Sequence, residues 1–374
     1  MDVNMQNENA EYLSEQLITY LGNKRRLLNF IGEAIDSVKK KLNKEKLRIF
    51  DVFSGSGIVS RYLKQSASYL AANDLELYSY LINTCYLSNS SGRDMVQLRG
   101  FFCDLKEKLD ECEFTGEWKR GVISELYAPK DDSNIKKGER VFYTKRNASY
   151  IDTARSFIDS YPEHLRAFFI APLLAAASVH ANTGGVFKGF YKNRETGIGE
   201  FGGKNRDALS RITGDIDLEF PVFSTYDCDV DIYRRDANEL IFSLEEVDLA
   251  YLDPPYNQHP YGSNYFMLNV IAENKMPRNP SSVSGIPSDW NRSVYNTAKE
   301  APKALAELIE NVRAKYVLLS FNSEGFTTKE ELTHMMSRMG KLNVFESPYN
   351  AFRASRNLKN RNAHVTEYLF LLEK

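Results

Sequence analysis

The chain has 374 residues, which is long for one domain, so we expect one large domain with an insertion, or two domains. Hydrophobic residues make up 43% and charged residues 26% of the sequence, as in a globular protein with a sizeable core. A net charge of −2 gives no general support for a nucleic-acid partner, so local basic clusters must carry that argument. Four cysteines without CxxC spacing exclude a disulfide framework.

The sequence carries no sign of export or of a membrane span. The first thirteen residues are polar and acidic and lack the apolar centre of a signal peptide. The most apolar window, residues 165–181, is interrupted by Arg166, Pro172 and His180 and is short for a span, so it predicts a buried helix. We therefore expect a cytoplasmic protein.

The first predicted helix, residues 25–42, follows a short turn that ends in a lysine. Apolar residues recur in it at helical spacing, and Gly22 and Asn23 provide a turn and an N-cap. Lys24 then lies in the first turn, where a positive charge opposes the helix dipole. Such a lysine is either solvated or holds a carboxylate.

A glycine-containing loop joins the first predicted strand, residues 47–53, to a helix that runs to Lys64. Gly55 and Gly57 allow a tight turn and close approach to a ligand, but Ser60 occupies the third glycine position of the dinucleotide fingerprint. A second strand, residues 68–72, leads to Asp74, where Rossmann-type sheets bind a ribose. The combination predicts an adenosine site, whereas the loop alone is only a turn.

The regular alternation of strands and helices stops between about residues 111 and 228. Within residues 187–211, basic side chains are interspersed with aromatic rings, which suits contact with phosphates and bases. The alternative is an ordinary solvated loop. A second basic segment, residues 352–361, carries four positive charges and no negative one.

The strongest chemical motif follows the apolar run 247–252, which predicts a buried parallel strand. Asp253 stands at its carboxyl end, and Pro254 and Pro255 enforce a stiff turn that precedes Tyr256. A carboxylate and a proline carbonyl can accept both hydrogens of an exocyclic amine, while the tyrosine ring stacks on a planar base. Four such residues alone are also typical of a surface turn.

Together these motifs make the chain resemble the Dam-like, alpha-group N6-adenine DNA methyltransferases, most of all those of type IIS restriction–modification systems. The matching segments are YLGNK (20–24), FDVFSGSG (50–57), NDLE (73–76), RDA (235–237), DPPY (253–256), PYGSNYF (260–266), LLSFNSEG (318–325) and TEYLFLLEK (366–374). The resemblance implies an α/β fold, with a Rossmann-like sheet that binds S-adenosyl-methionine. It also implies a catalytic domain in two parts, 1–110 and 229–374, around a target-recognition insertion, 111–228.

The resemblance further implies a role for each motif residue. Tyr20 and Lys24 would contact the methionine end of the cofactor, the loop 53–57 would wrap it, Asp74 would hold its ribose and Asp236 would lie near its adenine. The expected catalytic residues are Asp253, Pro254, Pro255 and Tyr256. The expected cofactor contacts are Tyr20, Lys24, Asp51, Phe53, Ser54, Gly55, Gly57, Asp74, Asp236 and Asp253. The expected DNA contacts are Arg140, Arg146, Lys188, Arg194, Arg206, Tyr265, Arg353 and Arg356.

The implied activity is methyl transfer from S-adenosyl-methionine to N6 of an adenine flipped out of duplex DNA. Expected partners are double-stranded DNA, bound by a monomer, and a restriction endonuclease encoded nearby; no metal and no membrane are expected. Cytosine N4 methyltransferases usually carry serine where Asp253 stands, and RNA or protein-glutamine methyltransferases carry asparagine. A catalytically inactive DNA-binding protein on the same scaffold is a further alternative. An NAD-dependent dehydrogenase is disfavoured by Ser60 and by the absence of an obvious hydride-transfer partner.

Overall fold

A computed structural model describes residues 8–92, 94–203, 206, 208–350 and 364–374. Arg353 and Arg356 lie outside the described residues. Within the described residues, seven strands form one sheet in the order β3-β2-β1-β4-β5-β7-β6. The strands are β1 (Leu47–Asp51), β2 (Ala67–Asn73), β3 (Asp229–Tyr233), β4 (Val247–Leu252), β5 (Ala314–Asn322), β6 (Lys341–Asn350) and β7 (His364–Glu373).

The first five strands are parallel, and β7 is antiparallel between β5 and β6. This arrangement confirms the expected Rossmann-like α/β sheet. All six residues of β4 are buried, as the apolar run predicted. Asp248, the one charged residue of this run, is also buried. Its carboxylate is paired there with the ammonium groups of Lys44 and Lys315, which lie 2.8 and 3.2 Å away.

Helices cover both faces of the sheet, and alternate residues of each strand face opposite helical layers. Leu249 and Tyr251 pack with helices on one face, while Ala250 and Leu252 pack with helices on the other. The helices are α1 (Leu28–Leu42), α2 (Ile58–Lys64), α3 (Leu77–Tyr86), α4 (Met95–Thr115), α5 (Val122–Leu126), α6 (Lys145–Ile158), α7 (Glu163–Val179), α8 (Leu209–Thr213), α9 (Ala237–Leu240), α10 (Tyr261–Asn264), α11 (Phe266–Glu273), α12 (Ala301–Asn311) and α13 (Lys329–Ser337). Short 3₁₀ turns add Ala10–Leu13, Lys24–Leu27 and Val294–Asn296.

The described part of the region between β2 and β3 is helical and contains no strand longer than an isolated bridge. Its longest apolar helix, α7, is buried among the helices that cover one face of the sheet. The Arg155 guanidinium of α6 donates to the carbonyl oxygen of Ile271 in α11 at 2.8 Å, which connects this region to the helices that follow β4. The boundaries at 110 and 228 remain predictions. No helix among the described residues combines the length and apolarity that a membrane crossing requires.

Candidate active site

A cavity with about 930 Å³ of empty space, part of it open to solvent, lies at the carboxyl ends of β1, β2 and β4, where the strand order reverses direction. Ligands of open α/β sheets bind at such a switch point. Of the residues expected at the site from sequence, nine line this cavity: Tyr20, Lys24, Phe53, Ser54, Gly55, Asp74, Asp236, Asp253 and Pro255. Asp51, Gly57, Pro254 and Tyr256 lie beside it and do not line it.

The glycine loop after β1 is held in a left-handed turn by Asp74. Gly55 and Gly57 have φ angles of +51° and +77°, which explains why glycine occupies both positions. The Asp74 carboxylate accepts the N–H of Gly55 at 2.8 Å and that of Glu76 at 2.9 Å. Burial raises the pKa of Asp74, while these backbone hydrogen bonds oppose the shift. Asp74 therefore shapes the loop as well as facing the cavity.

Asp51 lies beneath the glycine loop and supports it from inside. Its carboxylate accepts the hydroxyl of Ser60, the residue that replaces the third glycine of the dinucleotide fingerprint. Oδ1 of Asp51 has no hydrogen-bond partner among the described residues, and burial raises the pKa of Asp51 to about 7. Because Asp51 is fully buried, we correct its expected role from direct cofactor contact to support of the loop.

A stack of three tyrosines forms one wall of the cavity. The three rings contact one another: the centroid of Tyr20 lies 5.0 Å from that of Tyr261 and 4.7 Å from that of Tyr265, with interplanar angles of 15° and 23°, and Tyr261 and Tyr265 are 6.0 Å apart. Tyr265 has no exposed surface, and its hydroxyl accepts the backbone N–H of Leu21 at 2.7 Å. The expectation that Tyr265 contacts DNA is therefore wrong for this conformation, since its ring supports Tyr20 from the interior.

One end of the cavity contains an ammonium group between two carboxylates. Nζ of Lys24 lies 3.2 Å from Oδ1 of Asp253 and 3.5 Å from Oε2 of Glu367, and only 3% of the Lys24 side chain is exposed. Burial opposes the positive charge, but the two carboxylates hold the pKa of Lys24 well above its ordinary value. The sequence left open whether Lys24 is solvated, and the structure shows that it holds carboxylates.

Asp253 follows the last residue of β4 and remains 19% exposed to the cavity. Burial raises the pKa of Asp253 to about 6; the ammonium of Lys24 opposes this shift and Glu367 adds to it. The group is thus ionised at neutral pH but holds its proton more strongly than an ordinary aspartate. A buried carboxylate of this kind is a good acceptor for an N–H donor.

Tyr256 lies beside the ion pair, outside the lining of the cavity. Its half-buried ring packs edge to face on Phe321 at a centroid distance of 5.6 Å, and Nζ of Lys24 lies 5.7 Å from its centroid. The carbonyl oxygen of Tyr256 accepts the N–H of Phe326 at 2.9 Å, which fixes the turn after the two prolines. The motif residues 253–256 are therefore held rigidly against β5.

The sequence did not predict two sets of residues that line the cavity. The first is Glu76, which lies in the NDLE motif but has no role predicted from the sequence. The amides of Asn269 and Asn291 donate to its carboxylate at 2.5 and 3.0 Å, and burial, followed by the charge of Asp74, raises the pKa of Glu76 to about 7. Asn291 belongs to a second group, in the irregular segment between α11 and α12, which has no sequence signal. Its cavity residues are Asn291, Ser293, Tyr295 and Asn296.

The expected DNA contacts of the insertion separate into two groups. The Arg140 guanidinium donates to the carbonyl oxygens of Leu126 and Ser281 at 3.2 and 3.0 Å, and Arg146 pairs with Glu113 at 2.7 Å. Both arginines are engaged with protein acceptors in this structure, and their expected contact with DNA stays a prediction. The side chains of Lys188, Arg194 and Arg206 are exposed.

No group of three or more metal-ligating side chains occurs among the residues that the structure describes.

Comparison with known proteins agrees with the chemistry of the cavity. A family model described as D12 class N6 adenine-specific DNA methyltransferase matches residues 20–335. This range contains the tyrosine wall, the glycine loop and Asp253.

The chain is also similar over nearly its whole length to curated proteins. It is 30% identical over 368 residues to the type II methyltransferase M.NlaIII of Neisseria lactamica, covering 96% of this chain and 99% of that protein. It is 28% identical over 361 residues to the type II methyltransferase M.CviAII of Paramecium bursaria Chlorella virus 1, covering 95% and 98%. It is 27% identical over 371 residues to the modification methylase StsI of Streptococcus sanguinis, covering 95% of this chain but 52% of that protein.

Proposed function

This chain belongs to the D12 class N6 adenine-specific DNA methyltransferase family, and from that premise we propose that it transfers the methyl group of S-adenosyl-methionine to a flipped adenine in duplex DNA. One observation carries the proposal. The Asp253 carboxylate faces the same cavity as the glycine loop and Asp74, so an amine acceptor and the predicted nucleoside-binding surface adjoin one space. Such proximity is what a group transfer between two bound molecules requires.

The residues of the cavity fit S-adenosyl-methionine. Gly55 has no side chain to fill the space at the loop, where a Cβ would lie 3.2 Å from the Tyr20 ring. The carboxylates of Asp74, Glu76 and Asp236 provide acceptors for ribose hydroxyls and for an amino group. When bound there, the cofactor supplies an electrophilic methyl group.

The protein contributes orientation and hydrogen-bond acceptors to the reaction. The N6 lone pair of adenine is delocalised into the ring, so the amine is a weak nucleophile. Asp253 and the carbonyl of Pro254 would accept its two hydrogens and help localise the lone pair towards the methyl group. Tyr256 would hold the flipped base by stacking. The raised pKa of Asp253 supports this role, because the carboxylate is ionised at neutral pH and accepts hydrogen bonds strongly.

We assign sequence recognition to the insertion, through the loops 136–146 and 188–206, with the segment around Arg353 and Arg356 as a further phosphate contact. Exposed Lys188, Arg194 and Arg206 support the second loop. The protein would act as a monomer on DNA in the cytoplasm. Relatives named type II methyltransferases and modification methylases support a role as the modification half of a restriction–modification system, with an endonuclease encoded nearby.

The test is methylome sequencing of DNA from cells that express the chain, beside cells that express an Asp253→Ala variant. We expect N6-methyladenine at one short recurrent sequence with the wild-type chain and none with the variant. Unmodified adenine at every site in both samples would support an inactive DNA-binding protein instead. Modification at N4 of cytosine would overturn the assigned target atom.

A further inference from the structure

Glu367 completes the charged cluster from the far side of Lys24. It lies on β7, directly opposite Asn322 of β5 in the antiparallel ladder, and is 5% exposed. Nδ2 of Asn322 donates to Oε1 of Glu367 at 3.4 Å, and Oε2 lies 3.5 Å from Nζ of Lys24. The carboxylate is therefore fixed by the sheet and aimed at the lysine, while it does not line the cavity.

The cluster places one ammonium between two carboxylates that differ in access. Asp253 faces the cavity and Glu367 faces the protein interior. A buried lysine with a single acidic partner would direct its N–H donors at that partner. Here Glu367 accepts one of the Lys24 N–H groups, so fewer of them point at Asp253. The Asp253 carboxylate therefore keeps acceptor capacity on its cavity side for a substrate amine.

We propose that Glu367 is a positioning residue for methyl transfer: it shares the Lys24 ammonium with Asp253 and thereby leaves acceptor capacity on the Asp253 carboxylate for the adenine amine. This inference rests on the proposed function, because it assigns Glu367 a role in the same reaction. Glu367 lies beyond the residues 20–335 matched by the family model, and the matching segment 366–374 that contains it was given no role in the site.

The electrostatic surroundings of Asp253 agree with this arrangement. Burial raises the pKa of Asp253 first, Lys24 then lowers it, and the negative charge of Glu367 raises it. Removing that negative charge should therefore lower the pKa of Asp253. The charged and titratable groups that face Asp253 are Lys24 from the turn before α1, Glu367 from β7, Asp51 from β1, Tyr251 from β4, and Tyr256 and Tyr261 from the segment after it.

The discriminating variant is Glu367→Gln, which keeps the size of the side chain and removes its charge. We expect kcat to fall about 10- to 100-fold, the scale of a misplaced reacting group, with KM for the cofactor nearly unchanged. We also expect the acid limb of the pH–rate profile to move to lower pH, because Asp253 loses a negative neighbour. A residue that only stabilised the fold would lower the melting temperature without moving that limb.

Glu373→Gln is the matched control. Glu373 lies on the same strand and pairs with Lys41 at 3.2 Å, but it is 41% exposed and remote from the cavity. Its variant should keep the wild-type kcat and acid limb. Glu367→Asp retains the charge and should give an acid limb closer to wild type than Glu367→Gln does, with an intermediate kcat.

The outcomes separate the two proposals. A wild-type chain that methylates no adenine overturns the proposed function. A wild-type chain that methylates adenine, with a Glu367→Gln variant of unchanged kcat and acid limb, overturns the role of Glu367 alone. If Glu367→Gln does not fold, Asn322→Ala and Glu367→Asp replace it, because each change displaces the carboxylate at position 367 from Lys24. An unchanged kcat and an unchanged acid limb in both variants would then overturn the positioning role of Glu367.

Discussion

Nζ of Lys24 lies 3.2 Å from Oδ1 of Asp253, so a lysine near the start of the chain and an aspartate at the end of β4 form one buried ion pair. A buried charge that loses its only partner destabilises a protein strongly. Lys24 has a second partner in Glu367, 3.5 Å away. The reactive carboxylate can therefore be altered without leaving a buried charge unpaired.

The first prediction follows from that pairing. Asp253→Ala should abolish methyl transfer while the protein still folds, since Lys24 retains Glu367. Loss of one preorganised polar group typically costs about 10²- to 10³-fold in rate, and here the principal acceptor is lost. The measurement is transfer of a labelled methyl group to duplex DNA, with circular dichroism as the control for folding. Appreciable activity in a folded Asp253→Ala protein would contradict the mechanism.

A second prediction concerns Asp74. Its carboxylate orders the glycine loop and faces the cavity, so Asp74→Ala should weaken cofactor binding by about 1.5–3 kcal/mol, the scale of a hydrogen bond to a charged group. Affinity for DNA should change little. Calorimetric titration with S-adenosyl-methionine checks the effect, and an unaltered dissociation constant would remove Asp74 from the binding site.

The pH dependence of activity provides a third prediction. Asp253, with a pKa raised to about 6, must be ionised to accept the amine, so activity should fall as pH decreases through this region. The positive charge of the bound cofactor should move the midpoint to pH 6 or below. Burial also raises the pKa of Glu76 to about 7, so protonation of Glu76 would weaken cofactor binding over a nearby pH range. Measuring kcat/KM for DNA at saturating cofactor separates the two groups.

This pH profile has an internal control. Asp253→Asn should have little activity and no acid limb of its own, while Glu76→Gln should keep the limb at saturating cofactor. An acid limb that remains in the Glu76→Gln protein but is absent from the Asp253→Asn protein identifies Asp253 as the titrating carboxylate. A rate that is independent of pH between 5 and 7 (roughly one unit on each side of the Asp253 pKa) would exclude Asp253 as the essential acceptor.

Arginine substitutions form the fourth prediction. Arg194→Ala and Arg206→Ala should weaken DNA binding. If the arginine contacts a phosphate, affinity should fall for all sequences and the slope of log K against log salt concentration should decrease by about one unit. If it contacts a base, the loss should be about 1–3 kcal/mol on the cognate site only. Arg140→Ala should instead lower stability by about 1–3 kcal/mol, because the carbonyls of Leu126 and Ser281 lose a charged donor.

Binding of cognate and scrambled duplexes at two salt concentrations, with thermal denaturation of each variant, distinguishes these roles. Arg146→Ala belongs with Arg140→Ala, and Arg353→Ala and Arg356→Ala test the second basic segment. Arg313→Ala is the control, since Arg313 is exposed just before β5, at the sheet edge away from the cavity. If Arg194 and Arg206 are without effect while Arg353 or Arg356 matters, recognition lies in that C-terminal segment.

Local patterns predicted the parts of this protein that depend on neighbouring residues in the chain. The buried run of β4, the left-handed glycines after β1 and the acid after β2 all follow from periodicity and from steric rules. The burial of Tyr265 and the hydrogen bonds of Arg140 to Leu126 and Ser281 do not, because they depend on which elements pack together. The segment with Asn291 and the partner of Lys24 on β7 depend on pairings across the whole chain, which no local pattern encodes.

The position of β7 in the sheet has a consequence for biosynthesis. Residues up to Asn350 already include the cavity lining, the glycine loop and Asp253, but not the strand that fills the gap between β5 and β6. Glu367 enters the charged cluster only through the pairing of β7 with β5. A chain in which β7 has not yet paired therefore lacks the second carboxylate beside Lys24, and the cluster is complete only once this strand has entered the sheet.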